Sequence, residues 1–144
     1  MKIVRIAAIV IGVYAALGLA LDGAIGYFQP QRETTAVLRT FDAEGKPHET
    51  VLSLLDDDGT LWVESGHWFR GWYHRLRRNP EVELVRGGEV KAYRAIPVDT
   101  PAALERVEAL MGKGRGAGYW VARTMLLFAP IKPVRLDPRP AGQP

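Results

Sequence analysis

The sequence predicts an α+β protein in which six short antiparallel strands form a small β-barrel, preceded by an N-terminal membrane helix. Residues 6–21 form an uncharged apolar run behind two basic residues. Beyond residue 30, short β-branched and apolar segments alternate with turns rich in Asp and Gly, a pattern typical of antiparallel hairpins. A helical pattern of aromatic and basic residues separates the third strand from the fourth. The chain of 144 residues has room for one domain.

The composition excludes several kinds of site. The chain contains no cysteine, which rules out disulfides, thiolate metal sites and cysteine nucleophiles. The acidic run at residues 56–58 lacks the ligand spacing of a calcium loop, and no group of His, Asp and Glu has metal-binding spacing, so we predict no metal. The net charge of +3 is mild, and we therefore expect no nucleic acid partner.

Residues 1–30 are predicted to form a transmembrane or membrane-anchor helix. Lys2 and Arg5 precede the apolar run 6–21, which Asp22 interrupts before residues 23–28 continue it. The run spans about 24 Å as a helix, slightly less than a hydrocarbon core of about 30 Å. The flanking residues make up the difference, because Arg5 can snorkel and the aromatic pair at 27–28 can anchor the other end. The predicted location is therefore a membrane.

Two questions about this segment stay open. A cleaved signal peptide has the same basic start and apolar run, and residues 18–20 offer a cleavage site. Cleavage there would leave the apolar residues 23–28 exposed, so we favour a retained anchor. Lys2 and Arg5 favour a cytoplasmic start. The domain would then lie outside the cytoplasm if the helix spans the membrane, and inside it if the helix is interfacial or re-entrant.

The first half of the domain is predicted to contain three strands and two turns. The strands are rich in β-branched and apolar side chains, whereas the turns carry Asp, Gly and Pro. In chain order they are strand 34–41, turn 42–47, strand 48–55, turn 56–59 and strand 60–65. Gly59 can adopt positive φ, which suits the tight second turn.

The second half is predicted to add three strands and two helices. In chain order they are strand 82–86, strand 89–98, a helix from residue 101, a flexible basic link at 112–118, helix 119–128 and strand 131–136. Thr100 and Pro101 suit the N-cap and first position of the first of these helices. Pro133 cannot donate a ladder hydrogen bond, so the last strand is predicted at a sheet edge. The barrel domain is expected at 31–138, with a tail at 139–144.

A basic and aromatic helix between the third and fourth strands is the most informative stretch. Its apolar face is formed, at i, i+3, i+4 and i+7, by Phe69, Trp72, Tyr73 and Leu76. Asn79-Pro80 ends the helix, and the turn Ser65-Gly66 comes before it. The free N–H groups of such a helix start attract anions, and nearby arginines strengthen the attraction. The alternative is a core helix with a solvated basic face.

This order of strands, turns and helix resembles the flavin-binding split barrels. It is most similar to the deazaflavin-dependent nitroreductase and quinone reductase family, a pyridoxamine phosphate oxidase-like group. The matching segments are 59–66, 72–82 and 131–138, and the Trp-Tyr, Leu and Asn-Pro pattern within 72–80 is the most specific. The resemblance covers roughly residues 34–138 and implies a six-stranded split β-barrel. Arg75 stands where the family often has Asn.

The resemblance also implies a flavin-type cofactor, either FMN or the deazaflavin coenzyme F-420, and a homodimer. The strand end at 65–66 and the helix start at 72–73 match the parts that lie along the cofactor. The predicted cofactor-binding residues are Lys46, His48, Ser65, Gly66, Arg70, Trp72, Tyr73, Arg75 and Arg78. The predicted catalytic proton donors are Tyr73, His74 and Tyr119, because a phenol or an imidazole can donate a proton to a reduced acceptor.

Two functions are compatible with these observations. The first is a membrane-anchored, flavin- or deazaflavin-dependent oxidoreductase that transfers hydride to an apolar acceptor such as a quinone or a nitro compound. Because the cofactor would carry the redox reaction, no protein nucleophile is needed, which suits a chain without cysteine. The alternative is a non-catalytic split-barrel module at the membrane surface that binds a cofactor, an anionic lipid or a protein partner.

Overall fold

The computed structural model describes residues 2–28, 34–67, 70–112 and 117–140. These residues form two compact units. Residues 2–28 and 117–129 make a helical unit, and the remaining described residues make a β-sheet unit. The predicted helix end at 29–30, the aromatic pair at 68–69 and the centre of the basic link at 113–116 lie outside the described residues.

The β-sheet unit is built on one antiparallel sheet of seven strands. In chain order they are β1 (Thr35–Phe41), β2 (Pro47–Ser53), β3 (Leu55–Asp57), β4 (Thr60–Ser65), β5 (Glu81–Arg86), β6 (Glu89–Pro97) and β7 (Lys132–Pro138). Across the sheet their order is β2-β1-β5-β6-β7-β4-β3. The predicted hairpins are confirmed, since β1 pairs with β2, β3 with β4 and β5 with β6, each antiparallel.

The sheet is curled into a half-barrel, and the connection between β2 and β3 shows why. These strands are the two edges of the sheet, yet only Leu54 separates them in the chain. A flat sheet would hold its edges several strand widths apart, so the sheet must bend until its edges approach each other. The structure therefore has seven strands instead of the predicted six, because the expected strand 48–55 divides at Leu54, where the chain changes from one edge to the other.

The inner face of the half-barrel holds the main apolar core. Alternate residues of β1 point inward, so that Leu38 and Thr40 are fully buried while their neighbours are partly exposed. Helix α2 (Gly71–Arg78) supplies Trp72, Tyr73 and Leu76 to the same core. The predicted apolar face of this helix is thus confirmed for the three members that the structure describes. The predicted end at Asn79-Pro80 is also confirmed, since the Asn79 N–H donates to the Arg75 carbonyl at 2.8 Å.

Helix α3 (Pro101–Gly112) forms a second, smaller core. As predicted, Thr100 caps it, because the Thr100 hydroxyl accepts a hydrogen bond from the Ala103 N–H at 3.2 Å. Ala103 and Val107 pack with Trp62 of β4. Strand β4 is consequently covered on both faces, which fixes the position of its end at Ser65.

The prediction that the last strand lies at a sheet edge is wrong. Strand β7 lies inside the sheet, between β6 and β4. Pro133 is accommodated because the last residue pair of the β6–β7 ladder is Pro97 with Val134. Beyond that pair the Pro133 carbonyl still accepts a hydrogen bond from the Val98 N–H at 3.0 Å. The missing proline donor therefore costs one bond at the end of the ladder.

The helical unit contains α1 (Lys2–Phe28) and α4 (Ala117–Met125). Over Lys2–Ala24, α1 is long and apolar enough to cross a membrane, judged by length and composition. Very little of this segment is buried within the protein. Helix α4 overlaps the predicted helix 119–128 but begins two residues earlier and ends three residues earlier, at Met125. The two helices touch, since the Tyr14 hydroxyl donates a hydrogen bond to the Thr124 carbonyl.

Candidate functional site

Four of the predicted cofactor-binding residues, Lys46, His48, Arg70 and Arg75, lie in two neighbouring groups. The first, which we call the turn cluster, comprises Thr40, Asp42, Lys46 and His48 around the β1–β2 turn. The second, which we call the α2 start, comprises Arg70, Gly71 and Arg75. Helix α2 packs against β1, so the two groups lie side by side.

Asp42 organises the turn cluster. One of its carboxylate oxygens accepts hydrogen bonds from the N–H groups of Lys46 at 2.8 Å and Glu44 at 3.2 Å. The other oxygen lies 2.7 Å from His48 Nε2. Gly45 completes the turn with φ of 77°, a left-handed conformation that glycine adopts without strain. The turn therefore holds His48 firmly, whereas the Lys46 side chain is exposed.

Arg75 joins the turn cluster to the α2 start. Its Nε donates to the Thr40 hydroxyl at 2.9 Å, and that hydroxyl donates in turn to the His48 carbonyl at 3.3 Å. A Cβ at Gly71 would lie 3.1 Å from Arg75 Nη1, so the guanidinium lies directly over the first residue of α2. Burial lowers the pKa of Arg75 from its usual value, and the Asp42 carboxylate opposes that change. The guanidinium remains charged at neutral pH.

The α2 start concentrates positive charge. Its N-cap residue is Arg70, which makes no side-chain hydrogen bond to the helix within the described part of the chain, and the first turn contains no acid. The positive end of a helix dipole normally attracts acids and repels cations, by about 0.3–1 kcal/mol at the surface. Here two arginines stand at that end. Such an arrangement is favourable when an anion occupies the same place.

Arg70 is partly buried beside the end of β4. Burial lowers its pKa from the usual value, and the Glu64 carboxylate opposes the change. Its Nε is shielded from solvent and has no hydrogen-bond partner among the residues that the structure describes. A buried donor without a partner is costly, by about 1–3 kcal/mol. Arg70 therefore has hydrogen-bonding capacity that a bound group can use.

The segment between β4 and α2 is crowded. Ser65 is buried, and a Cβ at Gly66 would lie 2.7 Å from a carboxylate oxygen of Glu64. Burial lowers the pKa of His67 to about 4, and the positive charge of Arg70 acts in the same direction. His67 is therefore neutral at pH 7. The neutral imidazole of His67 therefore adds no positive charge beside Arg70.

Two of the predicted contact residues are mainly core residues. Trp72 and Tyr73 are buried in the half-barrel, with their rings edge to face at 5.9 Å between centroids. Burial raises the pKa of the Tyr73 hydroxyl, and the Asp99 carboxylate adds to the effect, while Lys132 and Arg77 oppose it. Tyr73 thus keeps its proton at neutral pH, as a proton donor must.

The remaining predicted residues are more scattered. His74 and Arg78 are exposed on α2, and Arg78 follows Arg77 in the last turn of the helix, where basic residues complement the helix dipole. Tyr119 lies in α4 of the helical unit, half-buried, with its ring edge to face on Trp120 at 5.3 Å between centroids. Their predicted roles remain proposals.

Besides Gly71, three residues of the site were missed in the sequence. Thr40 has the ordinary appearance of a strand residue, and only the β1–β2 register places it beside His48. Asp42 was assigned to a turn by composition. Glu64 was placed in the predicted strand 60–65 without a role, whereas it lies against Gly66 and acts electrostatically on Arg70. An acid six residues before a histidine in a predicted hairpin is the one signal that could have identified the Asp42–His48 pair.

The Asp42–His48 contact predicts a specific pH dependence. The hydrogen bond from His48 lowers the pKa of Asp42, with the Lys46 and Glu44 N–H groups acting in the same direction. A carboxyl with a lowered folded-state pKa stabilises the fold above its unfolded pKa of about 3.9, and this stabilisation is lost as the pH falls through the folded value. We expect Asp42→Asn to lower the unfolding midpoint at pH 6–7, and the difference from the parent to shrink below about pH 4.

Urea unfolding across this pH range measures the difference. The control is Glu44→Gln, which neutralises an exposed acid of the same turn. If the difference in unfolding midpoint between Asp42→Asn and the parent stays constant from pH 7 to pH 3, the ionised carboxylate of Asp42 does not stabilise the fold.

A pocket of about 300 Å³ lies elsewhere in the sheet, at the opposite end of β5 from the part that pairs with Thr40. It is lined by Leu54, Leu61, Leu84, Arg86, Glu89, Lys91 and Tyr93. These residues include none of the predicted cofactor-binding residues. We place the candidate site at the α2 start because the charges and the unpartnered donor are there.

Comparisons with known proteins show the fold. No family model matches the chain, and no curated protein matches it by sequence. Among solved structures, it is similar to an F420-H2 Dependent Reductase (FDR-A), with a TM-score of 0.56 and 17% identity over 72% of this chain and 94% of that chain. It is also similar to a provisionally assigned pyridoxamine 5′-phosphate oxidase of Listeria innocua, with a TM-score of 0.54 and 18% identity over 74% and 85%.

A third similar structure is a provisionally assigned 5-nitroimidazole antibiotic resistance protein of Bacteroides thetaiotaomicron. Its TM-score is 0.54, with 13% identity over 76% of this chain and 75% of that chain. At such identities the similarity establishes a shared fold. The β-sheet unit of this chain therefore has the fold of pyridoxamine phosphate oxidase-like proteins.

Proposed function

We propose that the protein is a membrane-anchored oxidoreductase that binds FMN or the deazaflavin coenzyme F-420 at the α2 start. The proposed reaction transfers hydride to an apolar acceptor such as a quinone or a nitro compound. The observation that carries the proposal is the convergence of Arg70 and Arg75 on a helix N-terminus without an acidic cap. The described similarity to a reductase that uses F420-H2 and to a pyridoxamine 5′-phosphate oxidase supports it.

The residues present fit the phosphate of such a cofactor. Arg70 has a buried Nε without a partner among the described residues, and the Arg75 guanidinium lies over Gly71. Two guanidinium groups and free helix N–H groups form a donor set that matches phosphate oxygens. Lys46 and His48 flank them at the β1–β2 turn and add one further cation and a hydrogen-bonding ring.

A flavin or deazaflavin supplies hydride transfer when it is bound. The chain's own contribution is to hold the phosphate, to orient the ring and to control protons. Ser65 ends β4 and Gly66 follows it, and we propose that the backbone of these two residues lies along the cofactor ring. We propose Tyr73 as the proton donor of the β-sheet unit, with His74 as a second candidate. Tyr119 is retained as a proposed donor from the helical unit.

The apolar acceptor is proposed because of α1. A helix that is apolar on all sides and little buried in the protein suits a lipid environment. Quinones partition into the same environment, so an anchored reductase would meet such an acceptor at high local concentration. The resistance protein that shares the fold supports a nitro compound as the other acceptor.

The test uses the full chain, purified in mild detergent. We expect one of the two cofactors to bind with a change in its absorption spectrum, and the reduced cofactor to be reoxidised anaerobically when a short-chain quinone or a nitroimidazole is added. Light scattering on the same sample checks the proposed homodimer.

Binding of neither cofactor would reject the oxidoreductase proposal. The non-catalytic binding module at the membrane surface would then be the better account, and vesicles containing anionic lipid would be the next ligand to test.

A further inference from the structure

Helix α4 and the turn after it expose an apolar surface. Trp120 is 62% exposed, Val121 57%, Met125 45% and Phe128 55%. Residues 120, 121 and 125 fall on one side of a helix, and the turn brings Phe128 after them. Proteins in water rarely expose several large apolar side chains together unless a partner covers them. We therefore expect another molecule to cover this surface.

The surface belongs to the same compact unit as α1. The Tyr14 hydroxyl donates to the Thr124 carbonyl. A Cβ at Gly18 would lie 2.7 Å from the Met125 carbonyl oxygen and 3.0 Å from Leu127 Cγ, so the two segments approach each other closely at this glycine. Tyr14 lies near the middle of the apolar segment Lys2–Ala24, and Gly18 lies one turn further along it. Whatever surrounds the middle of α1 is thus also next to α4.

Two ionisable groups of the helical unit, Asp22 and Arg123, are shielded at least partly from solvent. Asp22 interrupts the apolar segment of α1 but is only 8% exposed, and it lies four residues after Gly18, on the same side of the helix. Arg123 is the one charged residue in the sequence of α4; it is half-buried and donates from Nη1 to the Ala129 carbonyl at 2.6 Å. The Thr124 hydroxyl donates to the Trp120 carbonyl at 2.9 Å. Ionisable residues in membrane proteins are commonly hidden inside the helical assembly in this way.

We propose that α4 is a second membrane-contacting element and that Trp120, Val121, Met125 and Phe128 contact the acyl chains of the bilayer that holds α1. The inference rests on the membrane anchoring in the proposed function. Lipid is the occupant that the unit favours, because the exposed face of α4 is uncharged and adjoins a helix whose exposed surface is also apolar. The alternative occupants are a second copy of the chain and another surface of the same protein.

Spin labelling tests the proposal directly, because the chain has no cysteine of its own. Single variants Val121→Cys, Val10→Cys and Val90→Cys receive a nitroxide and are reconstituted, as the full chain, in phosphatidylcholine vesicles. Val10 is an exposed residue of α1 at 61%, and Val90 is an exposed residue of β6 at 53%, so the three sites are matched in residue type and exposure. The measurement is the collision rate of each label with oxygen and with a water-soluble nickel chelate.

We expect the label at 121 to resemble the label at 10. Both labels should collide readily with oxygen. Their collision rates with the nickel chelate should be roughly tenfold lower than that of the label at 90, because water and its solutes are scarce in the bilayer core. A label at 121 that is as open to nickel as the label at 90, while 10 is shielded, would overturn the inference and leave the anchor intact. A label at 121 shielded from both reagents would also overturn it, because protein would then cover the surface.

If the labels at both 10 and 121 are accessible to the nickel chelate, the proposed membrane anchoring by α1 and this inference are both overturned. The cofactor titration of the full chain is independent of these results, so a failed lipid contact and a failed enzyme proposal remain distinguishable.

Discussion

Replacing Trp72 with alanine is expected to destabilise the β-sheet unit by about 3–5 kcal/mol. Trp72 is 2% exposed and packs in the main core with Leu76 and Leu38. Its indole is among the largest fully buried side chains of the protein, and removal would leave a cavity between α2 and the sheet. The loss would be a large share of the stability of an ordinary domain, which is about 5–15 kcal/mol.

The measurement is the urea midpoint of the full chain in mild detergent, read by pulse proteolysis. His74→Ala is the matched control, because His74 follows on the same helix but is exposed, and its replacement should change the stability by no more than about 0.5 kcal/mol. Trp72→Phe should fall between the two. It keeps an aromatic ring and removes an indole N–H that has no partner among the described residues. Equal midpoints for Trp72→Ala and the parent would contradict the core role.

Cofactor titration of the same variants separates two interpretations of Trp72. The resemblance to split barrels implied that the residue packs on a cofactor, whereas its burial indicates that it mainly packs on the protein. If Trp72→Phe binds cofactor as well as the parent does, the indole has no specific contact with the cofactor. The helix pattern alone could not decide this, because a core face and a ligand-facing face have the same period.

Local patterns predicted most of the sheet. The hairpins at 42–47 and 87–88 were recognisable because Asp and Gly occupy turn positions that need them. The cap at Thr100 and the helix end at Asn79 were also predicted from local chemistry. Each of these features depends on a few consecutive residues, so the sequence carries enough information to place them.

Long-range pairing was harder to predict. Pro133 suggested an edge strand, because a sequence does not show that a neighbouring strand ends just where a proline begins. Leu54 gave no sign that it joins the two edges of a sheet. The packing of α4 against Tyr14 was likewise invisible, since the two segments are 110 residues apart. These contacts depend on the closure of the whole fold.

The candidate site likewise combines residues that local patterns predicted with contacts that depend on the whole fold. The basic helix marked Arg70 and Arg75 as candidates, but the sequence could not separate them from Arg78. Arg75 differs from the other arginines because its Nε donates a hydrogen bond to the buried hydroxyl of Thr40. Its guanidinium also lies over Gly71, the small first residue of α2.

Arg75→Ala is therefore expected to weaken cofactor binding by about tenfold to a hundredfold. A charge-assisted contact to a phosphate contributes about 1.5–3 kcal/mol, and each 1.4 kcal/mol corresponds to a factor of ten in the dissociation constant. The fold should be affected much less, because the Thr40 hydroxyl keeps its own hydrogen bond to the His48 carbonyl when Arg75 is removed. Arg75→Lys keeps the charge but loses the planar fork, so its affinity should lie between those of Arg75→Ala and the parent.

Calorimetric titration of FMN and of the deazaflavin coenzyme into the full chain measures the effect. Arg77→Ala is the matched control, since Arg77 is an exposed arginine on the same helix. This variant should bind cofactor as the parent does. Thr40→Val removes the hydroxyl that receives the Arg75 Nε–H but leaves the guanidinium over Gly71, so binding should weaken less than in Arg75→Ala. If Arg75→Ala and Arg77→Ala bind equally well, Arg75 holds the helix to the sheet and the phosphate site lies elsewhere.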